Sequence, residues 1–220
     1  MPRGRSPGYD GQRERILSHA ARLFAQRGYP STSMNEVADA CGMSKPSLYH
    51  YFRDKYALLV SIAEGHVNRL EALVDEVDRE RLAPETRLRQ LIHRFVEEYA
   101  SARYAHRVLT ADVRFLRPAD RARILAAERR IVAGFAAGTA SLRPQLEREG
   151  MSKPLTMLLF GMINWMFTWL KPDGELTYAA MAPVVADLFF GGVRAVRPPA
   201  RRRQNANEPR QLRLARGGKA

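Results

Sequence analysis

The chain has 220 residues, enough for a real hydrophobic core and between one large domain and two small ones. It is 45% hydrophobic and 27% charged, the composition of a folded soluble protein, and its one cysteine, Cys41, excludes a disulfide framework and a multi-cysteine zinc site. Thirty-six Lys and Arg against 23 Asp and Glu give a net charge of +13, which points to an anionic partner, nucleic acid or an acidic membrane surface.

The excess sits at the two ends. Residues 1–60 carry nine basic and five acidic groups, residues 61–193 eighteen and seventeen, and residues 194–220 nine and one. From Pro198 onward large apolar residues are almost absent. Such a segment cannot bury enough surface to offset its ordering entropy, so a disordered basic tail is expected over 197–220. The opening stretch, MPRGRSPGYDGQ, lacks the apolar run of a signal peptide. The longest apolar stretch, Leu155 to Leu170, contains Asn164 and falls short of the roughly 20 residues a spanning helix needs. A cytoplasmic protein without membrane association is expected.

Apolar residues recur at helical spacing throughout, and no period-2 stretch stands out. Ile16, Leu17, Ala20, Leu23 and Phe24 stripe a first helix over 11–27, which Gly28 can terminate in a left-handed conformation. Ser33-Met-Asn-Glu36 reads as a capping box opening a short helix over 34–40. Gly42 can make the next turn, Ser44 can cap a helix over 45–51, and Asp54 can cap a long helix ending near Arg81. Further helices are expected at 85–102, 104–115, 119–142, 153–170 and 176–195. Pro84, Pro118, Pro144, Pro154 and Pro172 fall at or near their gaps. Pro183 breaks that rule and implies a kink or a later start. The expected fold is all-α.

Two short helices joined by a glycine turn over 34–51 have helix-turn-helix geometry, whose second helix enters the major groove. Val37, Ala38, Cys41, Met43 and Leu48 supply the small or apolar interior. The outward face of the second helix offers Ser44, Lys45, Ser47, Tyr49, His50 and Tyr51, donors and flat rings suited to phosphates and base edges. Lys55 opens the following helix, where its ammonium and the helix-end amides can face a phosphate.

From Phe24 to Leu59 the pattern is fuller. Gly28-Tyr29, Ser31-Thr32-Ser33, Glu36-Val37-Ala38, Gly42-Met43-Ser44, the run Leu48-Tyr49-His50-Tyr51-Phe52, then Asp54, Lys55, Leu58 and Leu59 resemble the DNA-binding domain of TetR-family transcriptional regulators. The resemblance spans residues 11–71 without a gap. It implies a dimeric, most often repressive, DNA-binding protein, with Thr32 or Ser33, Ser44, Lys45, Ser47, Tyr49, His50 and Lys55 at the DNA. Cys41 stands where that family usually has a small residue, and reads as a buried small hydrophobe.

A near-neutral helical region over 72–196 behind such a head reads as a ligand-binding and dimerisation domain. The helix expected at 153–170 is apolar on every side, and a helix apolar all round must be covered all round. A second subunit is the natural cover, giving a two-fold four-helix interface through 153–195 that includes Phe160, Met166, Val185 and Phe189. Asn164 is a polar amide in that apolar helix and needs a partner when buried. Gly161-Met-Ile-Asn164-Trp165, then Trp169, then Pro172-Asp-Gly174, resembles the TetR-family subset that responds to acyl-coenzyme A thioesters, although Leu170 stands where that subset often has tyrosine. Ligand contacts are accordingly expected from Asn164, Trp165 and Trp169, with guanidinium groups from Arg103, Arg107 and Arg114 for the phosphates.

No nucleophile elbow, phosphate loop or HExxH pattern is present, and the five histidines show no metal-ligand spacing. An enzyme is therefore not expected, and no cofactor or metal is assigned. The expected partners are an operator in double-stranded DNA, a small-molecule effector such as an acyl-coenzyme A, and a second copy of the chain. The alternative is a repressor sensing an uncharged lipophilic molecule or drug.

Overall fold

The structure, a computed structural model, describes residues 8–171 and 174–197. Residues 1–7, Pro172 and Asp173 of the Pro-Asp-Gly motif, and the basic tail from Pro198 lie outside the described residues.

Among the described residues there are ten α-helices and no strand. They are α1 (Tyr9–Arg27), α2 (Met34–Ala40), α3 (Lys45–Tyr51), α4 (Lys55–Arg79), α5 (Pro84–Ser101), α6 (Arg103–Asp112), α7 (Pro118–Leu142), α8 (Pro144–Arg148), α9 (Ser152–Trp169) and α10 (Tyr178–Ala195). A single 3-10 turn, Val113–Phe115, follows α6, where the sequence suggested continuous helix to 115. The sequence also missed α8, whose five residues are too few to show a period.

Local signals set the head. Ser33 Oγ accepts from the Glu36 amide at 3.2 Å, and the Ser33 amide donates to Glu36 Oε2 at 2.7 Å, the expected capping box. The α2–α3 turn is a Schellman motif. Gly42, at φ +64°, donates to Asp39 O, and Met43 donates to Ala38 O. Ser44 and Asp54 cap α3 and α4 through the Ser47 and Ala57 amides. Ile16, Phe24, Val37, Leu48, Leu58 and Leu59 are buried where these helices meet.

α4 links the head to the body, packing on α1, α5, α6 and α7. The body's core is an aromatic cluster in which the Phe135 ring lies 4.8 Å from Phe95 and 4.9 Å from Phe160. α7 approaches α4 closely because Gly134 has no side chain; a Cβ there would stand 3.0 Å from Val74 Cγ1. α10 packs chiefly on α5. Its end is tied down by Arg143 Nη1, which donates to the carbonyls of Val193 at 2.9 Å and Val196 at 2.8 Å, a cation on the negative pole of a helix.

Pro183 lies inside α10. The helix begins at Tyr178, two residues later than expected, with Thr177 Oγ1 accepting from the Ala180 amide. Proline at the sixth position has no N–H for the Ala179 carbonyl and crowds that carbonyl with its ring, a cost confined to the first turns of the helix.

Candidate nucleic-acid interface and effector chamber

Ser33, Ser44, Lys45, Tyr49 and His50 are exposed, and Ser47 is half-buried. A surface groove of about 420 Å³ is lined by Ser33, Lys45, Tyr49 and Lys55, together with the 30–35 turn. Lys55 Nζ donates to the carbonyls of Tyr29 at 2.9 Å and Pro30 at 3.0 Å and sits 4.7 Å above the Tyr29 ring. An ammonium has three donors, so the lysine fixes this turn and still presents charge to the groove. Two expected contacts differ. Thr32 is 1% exposed and its hydroxyl donates to the Gly28 carbonyl at 3.0 Å, so it closes the α1 terminus from inside. Tyr51 is half-buried and stacks on Tyr9 with ring centres 4.8 Å apart, so one ring face is covered by α1.

A second site lies in the body. A chamber of about 190 Å³ lies between α4, α5, α6, α7 and α9, with walls from Leu70, Phe95, Tyr99, His106, Leu109, Thr110, Glu128, Ile131, Val132, Met157, Phe160 and Asn164. Glu128, Val132 and Met157 also line an outer groove of about 510 Å³, which adds Arg129 and Lys153. The chamber and this mostly apolar groove therefore adjoin across shared wall residues, with two cations lining the groove.

The chamber wall holds polar groups with unused capacity. His106 Nδ1 lies 3.2 Å from His66 Nε2. Neither His106 Nε2 nor Asn164 Oδ1, both buried, has a hydrogen-bond partner. Burial pushes the His66 pKa down to about 4, and burial with the neighbouring imidazole pushes His106 to about 3. Both rings are thus neutral near pH 7. Burial raises the Glu128 carboxyl, and burial followed by the nearby Glu128 raises the Tyr99 hydroxyl.

Of the expected ligand residues, Asn164 lines this chamber and the others do not. Trp165 is 66% exposed and Trp169 half-exposed on the outer side of α9. Arg103 folds onto its neighbour Tyr104, bonding the hydroxyl at 2.7 Å, and Arg114 lies over Phe115. Arg107 is exposed and outside the lining. The expected interface residues are corrected as well. Phe160, Met166, Val185 and Phe189 are buried inside the protomer, and Phe160 forms part of the chamber wall. The large apolar side chains on the outside of α9 and α10 are instead Met157, Leu158, Trp165, Trp169, Val184 and Leu188. The sequence reading missed His66, His106, Tyr99 and Glu128. A signal existed, since His66 falls among Ile62, Ala63, Val67 and Leu70 on the buried side of α4.

The body is joined to the head through α6 and the start of α7. Asp112 is buried, which raises its carboxyl pKa against the opposing pull of Arg114, Arg107 and the nearby Tyr29 backbone, and the Phe115 ring lies 5.5 Å from that of Tyr29. Tyr56 donates its hydroxyl to Asp120 Oδ2 at 2.5 Å and accepts the Arg117 amide at 2.8 Å. No group of three or more potential metal ligands occurs among the described residues. No described helix is long and apolar enough to cross a membrane.

A helix-turn-helix head held by polar contacts to an all-helical body with a chamber is the architecture of a DNA-binding regulator. A sequence model of the bacterial regulatory proteins of the tetR family matches residues 16–62. One of the tetracyclin repressor-like C-terminal domain matches residues 81–193. The chain belongs to the TetR family of transcriptional regulators.

A TetR-family regulator from Bordetella parapertussis is 36% identical, with 80% of this chain and 93% of that chain covered and a TM-score of 0.76. AibR, solved in complex with isovaleryl coenzyme A and operator DNA, is 28% identical over 81% of this chain and 98% of its own, with a TM-score of 0.69. The transcriptional activator FasR of Mycolicibacterium smegmatis is 34% identical over 95 residues, and the match spans 43% of each protein.

Proposed function

We propose that the protein is a homodimeric repressor released from a palindromic operator by a short acyl-coenzyme A thioester. The observation that carries this reading is a pair of adjoining pockets. A chamber of about 190 Å³ shares Glu128, Val132 and Met157 with a mostly apolar groove lined also by Arg129 and Lys153. A cavity of roughly 150 Å³ accommodates benzene, so the chamber suits an acyl group of a few carbons. The groove suits the pantetheine arm, whose amide N–H groups can donate to Glu128. Arg129 and Lys153 suit the phosphates. These two cations take the role expected from Arg103, Arg107 and Arg114. The likeness to AibR, whose structure holds isovaleryl coenzyme A, supports the same class.

Dimerisation is assigned to the outer face of α9 and α10, where Leu158, Trp165 and Leu188 are each more than half exposed. Contiguous apolar patches on a small domain mark association sites. Two subunits joined there present two α3 helices to successive turns of one face of DNA, roughly 34 Å per turn apart. The DNA-facing set is Ser33, Ser44, Lys45, Ser47, Tyr49, His50 and Lys55.

An effector changes DNA affinity only if it binds one head spacing better than the other. His106, Leu109 and Thr110 line the chamber on α6, and the turn that follows this helix packs the Phe115 ring 5.5 Å from that of Tyr29. A ligand that displaces α6 therefore moves the head. The test is fluorescence anisotropy with an operator selected from a random duplex pool, titrated with acyl-coenzyme A thioesters, free coenzyme A, free acids and neutral lipophiles. Release by short thioesters alone is expected. Release by neutral lipophiles alone overturns the thioester reading.

A further inference from the structure

We propose that the effector's buried end carries a hydroxyl group, which Asn164 and His106 select over the same skeleton without one. The proposal rests on the reading of the chamber as the effector site and specifies the ligand class within it.

The fold leaves two polar atoms unused. Asn164 Oδ1 and His106 Nε2 are buried without a hydrogen-bond partner, and both residues line the chamber. The remaining wall is mostly apolar, from Leu70, Phe95, Ile131 and Phe160 among others. Buried polar atoms without partners are costly, and a ligand that pairs them gains what a purely hydrocarbon ligand forfeits.

The chemistry of the pair narrows the group. Asn164 Oδ1 is an acceptor and calls for a donor. His106 shares its Nδ1 contact with His66, so its Nε2 is a donor in one tautomer and an acceptor in the other. A hydroxyl donates one proton and accepts, so with His106 in its Nε2–H tautomer it accepts from the imidazole and donates to the amide oxygen, pairing both atoms. A carboxylate does not fit. No Arg or Lys lines the chamber, Glu128 does, and an unpaired anion is strongly disfavoured in such a place. An alkyl terminus leaves both polar atoms unpaired.

The experiment compares matched pairs by calorimetric titration of the full-length protein. One pair is isovaleryl-coenzyme A and its 3-hydroxy derivative; the other is toluene and benzyl alcohol, which need no coenzyme A groove. The hydroxylated member is expected to bind at least roughly tenfold tighter. That preference is expected to fall sharply in Asn164→Leu, with Asn164→Ala as a smaller change should the leucine variant lose its helical circular dichroism. Equal binding within both pairs overturns the hydroxyl proposal and leaves the chamber as effector site. A preference that persists in both variants also overturns it, since the hydroxyl is then read elsewhere. A preference confined to the neutral pair, with no thioester bound, supports the hydroxyl proposal and overturns the acyl-coenzyme A reading. Failure of all four ligands overturns both.

Discussion

His66 and His106 stand 40 residues apart in sequence and meet nitrogen to nitrogen at 3.2 Å, where α4 crosses α6. Tyr99 stacks on His106 with ring centres 3.8 Å apart, and Phe167 meets it edge-on. His66 lines the cleft beneath α1, whereas His106 lines the chamber between α4, α6 and α9. The pair is thus a polar bridge through an apolar wall between the head and the chamber.

The first prediction follows from that burial. Both histidines have folded-state pKa values below their ordinary 6.5, at about 4 and about 3. Above pH 6.5 folded and unfolded chains are both neutral at these sites, and the full contribution to stability is present. As pH falls below 6.5 the unfolded chain takes protons that the buried rings refuse, so stability drops until pH reaches the folded values. The loss is on the order of 3 kcal/mol for His66 at its full extent. Thermal unfolding between pH 7 and 4 is expected to show a falling Tm, and a His66→Phe/His106→Phe double variant a flatter profile over that window. Parallel profiles refute it.

Coupling between head and body is expected to run through Tyr56. Its hydroxyl bonds Asp120 and the Arg117 amide, and Tyr56→Phe removes both contacts while keeping the ring. Allosteric coupling is typically about 1–3 kcal/mol, and a hydrogen bond to a charged group is of the same size. The variant is expected to bind operator within a few-fold of the parent protein and to lose most of the effector response. An unchanged response places the coupling on another contact, such as Phe115 with Tyr29.

At the DNA face, Lys45→Ala is expected to lower affinity for all sequences alike and to flatten the salt dependence by about one counterion. Tyr49→Ala should weaken operator binding as well, since Tyr49 is exposed beside Lys45 in the same groove. Lys55→Ala has a double effect, because its ammonium also holds the Tyr29 and Pro30 carbonyls. It is expected to lower both DNA affinity and the Tm. Wild-type salt slopes in all three variants exclude this surface.

Adjacent positions on α10 should behave oppositely. Leu188 is 64% exposed and Phe189 5%. Leu188→Glu is expected to give helical monomers by sedimentation, with operator affinity lost. Phe189→Glu places a charge in the protomer's own core and is expected to unfold it. A dimeric Leu188→Glu protein refutes the assigned interface.

The sequence by itself determined the helices and the head. Their signals are local: Ser33 and Glu36 three residues apart close a capping box, Gly42 supplies a left-handed turn, and Ile16, Ala20, Leu23 and Phe24 repeat at the helical period. Short-range chemistry of this kind is readable because both partners lie within one turn. Only the tertiary structure decided which side of an all-apolar helix faces inward. α9 carries Phe160, Met166, Trp165 and Trp169 on one continuous apolar surface, and the sequence assigned the first two to a partner and the tryptophans to a ligand. The fold buries the first pair and exposes the second. Periodicity fixes angles around a helix axis, but not the direction in which the neighbouring helices lie. His66 with His106, and Tyr56 with Asp120, meet only because α4, α6 and α7 pack together, and no spacing along the chain encodes that contact.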